Sequence, residues 1–188
     1  MQQTMKLASR LGVRAAGGVS RRAQRGASLL EAIAYLGIAA IVVIGAVALL
    51  NGAFSSAGSN SLSEQVNAIQ TGVKKLYMTQ GNGYSGVTNA ILAQAGVFPS
   101  DIAAASTGTV TDNWGGDVTV SSSSNDKFSI EFKNVPQAVC ISAVSAGGSW
   151  SAITAGSGGA TSVPLPATLS GAEAACTSAG NDITWTSN

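Results

Sequence analysis

Apolar positions fall along this chain in three patterns. From Ala27 to Leu50 they run almost without a break, 24 residues with a single charge, Glu31. From Leu62 to Tyr77 they recur at spacings of three and four, at Leu62, Val66, Ile69, Val73 and Leu76/Tyr77, while Glu64, Gln65, Gln70 and Lys74 fall elsewhere on the wheel. Beyond Gly81-Asn82-Gly83 short alternating runs take over, separated by Gly, Ser, Asn and Asp. Continuous, periodic and alternating patterns predict a membrane-compatible helix, an amphipathic helix with one face on a core, and strands.

The apolar run would span roughly 36 Å as a helix at about 1.5 Å per residue, enough for a hydrocarbon core of about 30 Å. Asn51 to Gly58 is a weak helical stretch, because each glycine costs about 1 kcal/mol relative to alanine. The two halves are nonetheless expected to form one helix reaching Gln80, with any local melting on assembly confined to Gly45–Gly58. Small residues (Ala32, Ala34, Gly37, Ala39, Ala40, Gly45, Ala46 and Ala48) punctuate the span and would let neighbouring helices approach closely.

In the C-terminal part, Thr88 to Ala95 predicts a short helix capped by Thr88 and ended by Gly96 ahead of Pro99. Asp112-Asn113-Trp114-Gly115-Gly116 predicts a turn into a strand at Asp117–Val120. Its acids suggest calcium, but the spacing does not fit an EF-hand loop. Phe128, Ile130 and Phe132 alternate with Ser129, Glu131 and Lys133, a half-buried strand. Val139 to Val144 is expected to be a second strand carrying Cys140, and Asp182 to Thr186 the last. Ser170-Gly-Ala-Glu173 has the spacing of a capping box, so a short helix should carry Cys176. The Gly/Ser/Ala-rich stretch Gly147–Pro166, around Trp150, Pro164 and Pro166, reads as a solvated loop or a contact surface. The fold expected is α+β: a long N-terminal helix packed on an antiparallel sheet, with one disulfide.

Charge divides the chain more sharply than its net value of +1 suggests. Lys6, Arg10, Arg14, Arg21, Arg22 and Arg25 all precede Gly26, where no acid occurs; after it, four cations face nine acids, a balance of −5. A basic leader on a mildly acidic body does not describe a nucleic-acid binder. The leader cations should stay cytoplasmic and the C-terminal part face outward. Histidine is absent, which removes Ser-His-Asp and Cys-His catalysis and histidine-ligated metals. Serine and threonine without a base are not a mechanism, and no Asp/Glu pair has spacing suited to acid–base work, so neither catalysis, cofactor nor metal is expected. The two cysteines, Cys140 and Cys176, fit a disulfide in an exported chain.

Glu31 discriminates among the fates open to the apolar run. A secretory signal would be cut near Ala57, but its apolar region is usually about 7–15 residues. A twin-arginine address at Ser20-Arg21-Arg22 rests on a common dipeptide. A plain membrane anchor accounts for everything except the acid, which costs about 2.5–3.5 kcal/mol at mid-membrane and somewhat less near an end. Such a carboxylate needs a cation. One arises if the chain is cut after Gly26, which gives Ala27 a new α-amine, well placed for Glu31 of a neighbouring helix.

The stretch Arg25-Gly26-Ala27-Ser28-Leu29-Leu30-Glu31, a basic leader ending in Gly and a long apolar helix with Glu five residues past the cut, resembles a type IV prepilin. The 26-residue leader is similar to those of the type IVb branch, the toxin-coregulated, bundle-forming and PilS-like pilins. One departure is Ala27, where the family usually has Phe, Met, Leu or Trp. The resemblance implies cleavage between Gly26 and Ala27 by prepilin peptidase, N-methylation of Ala27, and pairing of Glu31 with the Ala27 amine of a neighbouring subunit. It divides the chain into a cytoplasmic leader (1–26), a transmembrane and assembly half-helix (27–53) and a globular pilin domain (54–188). Within the last, 140–176 resembles the disulfide-bounded variable region. Implied partners are other copies of the chain in a helical polymer, the peptidase, an inner-membrane assembly platform and ATPase, an outer-membrane secretin, and minor pilins. The precursor would sit in the inner membrane with its globular part in the periplasm, and the mature subunit in an extracellular filament. A major pilus subunit is the leading reading. A minor pilin or tip adhesin and a type II secretion pseudopilin are the alternatives, though pseudopilins usually have short leaders and often bind calcium in place of a disulfide.

Overall fold

A computed structural model describes residues 28–188; Gly26 and Ala27 lie outside the described residues. The described residues fall into two units, those up to Ile44 and those from Gly45 onward. Helix α1 (Leu29–Tyr77) forms the described part of the first and continues into the second. It is helical throughout Gly45–Gly58, so the glycines there do not interrupt it in the monomer, and it ends at Tyr77 rather than at Gln80.

In the second unit the periodic apolar face of α1 behaves as expected. Leu62, Val66, Ile69, Val73 and Tyr77 are all buried in the core, at about 1.5–3 kcal/mol for each fully buried aliphatic side chain. Gln65 departs from the expected polar face: it is 1 % exposed. Its Nε2 donates to Ser61 Oγ at 3.1 Å and to Asp101 Oδ2 at 2.5 Å, so a polar group is tolerated inside because a carboxylate from another segment reaches it. Gly58 also gains a reason. A Cβ there would stand 3.1 Å from Trp114 Cζ2 and 3.3 Å from Val139 Cγ2, so the glycine gives the indole a close, unstrained seat on the helix.

Short helix α2 (Asn89–Gln94) starts where the sequence predicted, with Thr88 Oγ1 accepting from the Ile91 amide. A two-residue pair, β1 (Ala103–Ala104) and β2 (Val110–Thr111), stands apart from the main sheet. That sheet comprises β3 (Val118–Ser124), β4 (Lys127–Pro136), β5 (Ala152–Gly156), β6 (Thr161–Val163) and β7 (Gly180–Ser187), in the order β3-β4-β7-β5-β6 with every neighbour antiparallel. The last strand to be made is the central one. Val120, Ile130, Trp185 and Ile153 lie in one register across it and are buried, while Thr119, Glu131, Thr184 and Thr154 form the next row on the opposite face. At the β3 edge Asn89 accepts from the Val120 amide and donates to the Val118 carbonyl, which covers part of the unpaired backbone.

Three expectations are corrected. Val139–Val144 is not a strand but lies in α3 (Gln137–Ser145), which follows directly from β4 at Pro136. Val139, Cys140, Ala143 and Val144 are its buried residues, a spacing of one, four and five that only a helix puts on one face; a six-residue apolar run does not by itself distinguish the two periods. In α4 (Leu169–Ala175) the cap is Thr168, whose Oγ1 accepts from the Gly171 amide, and Cys176 is the C-cap instead of a residue within the helix. The Ser170–Glu173 spacing was therefore two residues late. Gly147–Pro166 is not a solvated loop throughout: β5, β6 and the 3-10 turn Ser157–Gly159 occupy it, and Trp150 is only 9 % exposed. Small residues on β5 and β6 masked the alternation, and pairing with β7 supplies what local propensity lacks.

The turn before β3 holds a buried acid. Asp112 Oδ1 accepts from the amides of Trp114 and Gly116, both at 2.8 Å, whereas Oδ2 has no partner and is shut from solvent. Burial raises its pKa above the ordinary 3.8 and outweighs the lowering effect of those amides; nearby Asp117 raises it further. A raised folded pKa means that this group's stabilising contribution is complete below its unfolded value and is lost as pH rises through the folded one. Asp112→Asn keeps the Oδ1 acceptor and removes the charge. The variant should therefore melt above the wild type at neutral pH, and the gap should close on acidification; thermal unfolding across that range would show a widening gap if burial were not the dominant cause.

Candidate assembly site

The first 22 residues of α1, from Leu29 to Leu50, place every large apolar side chain at the surface, with exposures from 51 % at Val47 to 82 % at Leu29. A helix apolar all round belongs in a core or a membrane, and among the described residues nothing covers this one. Its glycines have no internal cause either: a Cβ at Gly37, Gly45 or Gly52 would find nothing within 4 Å. Such positions are the ones that permit close helix approach in lipid or in a helical bundle.

Glu31 sits in the first described turn and is exposed. Its amide donates to Ser28 Oγ at 3.2 Å, and its Oε1 accepts from the Tyr35 hydroxyl at 3.4 Å. Ser28 and Tyr35 were not singled out from the sequence, although the Ser-x-x-Glu spacing of a capping box and the four-residue Glu–Tyr step were both there to be read. Among the described residues no cation lies within ion-pair distance of Glu31; the first lysine after it is Lys74. The amine expected to neutralise it, on Ala27, lies outside the described residues, as does Gly26.

The cysteine pair is formed. Cys140 on α3 and Cys176 at the end of α4 are bonded and fully buried, with Cα atoms 5.9 Å apart. The bond ties together the ends of a segment that contributes both β5 and β6, so the bounded region is part of the sheet and not merely attached to it. A half-open cavity of about 180 Å³ lies beside it, lined by Ser63, Val66 and Asn67 of α1, Ala143 of α3, Trp150 and Trp185. Its wall carries no charged side chain.

A family model described as PilS N terminal matches residues 56–188. The chain belongs to this family of type IVb pilins. The match covers the globular part and the second half of α1, and it stops short of Gly26–Glu31. A search of curated proteins finds no match. Among solved structures, the crystal structure of TcpA, a type IV pilin from Vibrio cholerae El Tor biotype, is similar at 15 % identity, with 70 % of this chain and 99 % of that one covered and a TM-score of 0.49. Pilins of this family are structural subunits that associate with one another into pili, and the exposed apolar half of α1 in this pilin is consistent with a membrane anchor.

The disulfide closes 36 residues, for which chain entropy alone gives roughly 4 kcal/mol. Cys140→Ala/Cys176→Ala should lose stability by about that amount in denaturant unfolding of this pilin, and β5–β6 should become the first segment open to proteolysis. A loss below about 1 kcal/mol would mean that the sheet holds the region without the bond.

Proposed function

We propose that this pilin is the major subunit of a type IVb pilus, cut between Gly26 and Ala27 by prepilin peptidase, N-methylated at Ala27 and polymerised through α1. The observation that carries this reading is the uncovered apolar helix bearing one carboxylate. Before assembly, lipid covers 27–53; afterwards, the same surface packs against other copies, while the globular domain 54–188 forms the outer wall. Methylation leaves the amine charged, so Ala27 of one subunit can neutralise Glu31 of the next. An unpaired acid in an apolar bundle is costly, and pairing offsets part of that cost, which favours only the register that joins the two groups. The Tyr35 hydroxyl holds one carboxylate oxygen in the meantime.

In this scheme the precursor waits in the inner membrane with the leader inside. Extraction is the work of a platform and its ATPase, and a secretin passes the fibre outward, with minor pilins as further partners. A minor pilin or tip adhesin is the second reading, favoured by the uncharged indole-lined cavity beside the disulfide-bounded segment. Abundance separates the two, since a major subunit must dominate purified filaments.

Two substitutions test the assembly role. Gly26→Val should block cleavage and abolish pili. Glu31→Leu should leave cleavage intact yet reduce sheared filament by at least about tenfold, the effect of a register pin worth about 1.4 kcal/mol per subunit. Filaments at wild-type yield from the Glu31 variant would remove the pin.

A further inference from the structure

Past residue 58 the face of α1 turned away from the core is not apolar but polar, small and nearly neutral. Asn60, Glu64, Asn67, Ala68, Thr71 and Lys75 are all exposed along it, and at about 100° per residue they lie within a stripe about 100° wide. Its only charges are opposite and stand near its two ends. Eleven residues separate Glu64 from Lys75, three helical turns plus about 20°, so the two project in nearly the same direction about 16 Å apart along the axis. That is too far for them to meet within one chain. Neither has an ion-pair partner: among the described residues the one pair within reach is Glu131–Lys133 at 4.0 Å.

We infer that Glu64 and Lys75 pair with each other between copies of this pilin, as a second contact that sets the axial offset of neighbouring α1 helices. The inference rests on the proposed filament of parallel subunits. All copies enter the membrane by the same helix and in the same sense, so their α1 helices are parallel. Parallel helices bring Glu64 of one copy beside Lys75 of another only when displaced by about 16 Å. Each copy then offers its acid to one neighbour and its base to a different one. This is a head-to-tail contact, which does not close on itself and therefore propagates as a fibre. The intervening Asn67, Ala68 and Thr71 are uncharged, so the helices can approach without burying a further charge. The stripe is continuous in sequence with the helical half whose apolar residues are left uncovered.

Lys74 supplies an internal control. It carries the same charge one residue away, but at ten residues from Glu64 it points about 80° away from Glu64 and falls just outside the stripe. In the full-length pilin expressed with its assembly system, sheared filament is measured relative to disulfide-bonded pilin in the membrane. Glu64→Lys and Lys75→Glu should each lower that ratio by about fivefold or more, while the double reversal restores it to within about twofold of wild type. Lys74→Glu should change it less than about twofold. High salt should weaken wild-type filaments more than those of a Glu64→Gln/Lys75→Gln variant. Wild-type ratios for both single reversals, a double reversal no better than the singles, or equal losses from Lys74→Glu and Lys75→Glu would each overturn the pair. Glu31→Leu run in parallel keeps the two ideas separate: the Glu31 pin can fail with the charge-swap pattern intact, and the reverse.

Discussion

An apolar helical surface that the described residues leave uncovered must be covered by something else, and the rest of this pilin is arranged around that requirement. Burying such a surface gains about 25 cal/mol for every square ångström, in lipid or against other helices. The burial is not directional, so it supplies affinity without specifying register. In the proposed filament, charge supplies the register. One carboxylate on the apolar half and one acid–base pair on the polar half are the places where sliding one helix along another would have a steep electrostatic cost.

The globular unit meets a different demand. It must fold on the far half of α1 while leaving the opposite face of that helix free. Periodic Leu62, Val66, Ile69 and Val73 turn one stripe inward, and Trp114 lies close against the helix at Gly58. The central position of β7 makes the sheet complete only when the C-terminal residues arrive, joining β3–β4 on one side to β5–β6 on the other. Cys140–Cys176 ties the β5–β6 segment at its ends, in addition to the pairing of β5 with β7.

Much of this was legible in the chain. The long helix, its amphipathic second half, the Thr88-capped turn of helix, the strand at Phe128–Phe132 and the disulfide all follow from strong local signals. The failures share a cause: tertiary context decided where local pattern was ambiguous. Val139–Val144 is too short for its period to be read, and the core took it as a helix. β5 is built of Ala, Ile, Thr, Ala and Gly and is held as a strand by β7, a partner nearly thirty residues downstream. Gln65 is inside because Asp101 happens to reach it. At the assembly end, Glu31 was conspicuous as the lone acid in an apolar run, whereas Ser28 and Tyr35, which hold its amide and its carboxylate, looked like ordinary helix residues.

Whether Glu31 acts as described depends on a positive terminus that only proteolysis can create next to it. The intact mass of the subunit in purified filaments reports this directly. A chain that starts at Ala27 and is heavier by one CH2, a methyl group in place of a hydrogen, is the predicted result; a subunit retaining Met1, or one shortened to the neighbourhood of Ala57, would contradict it.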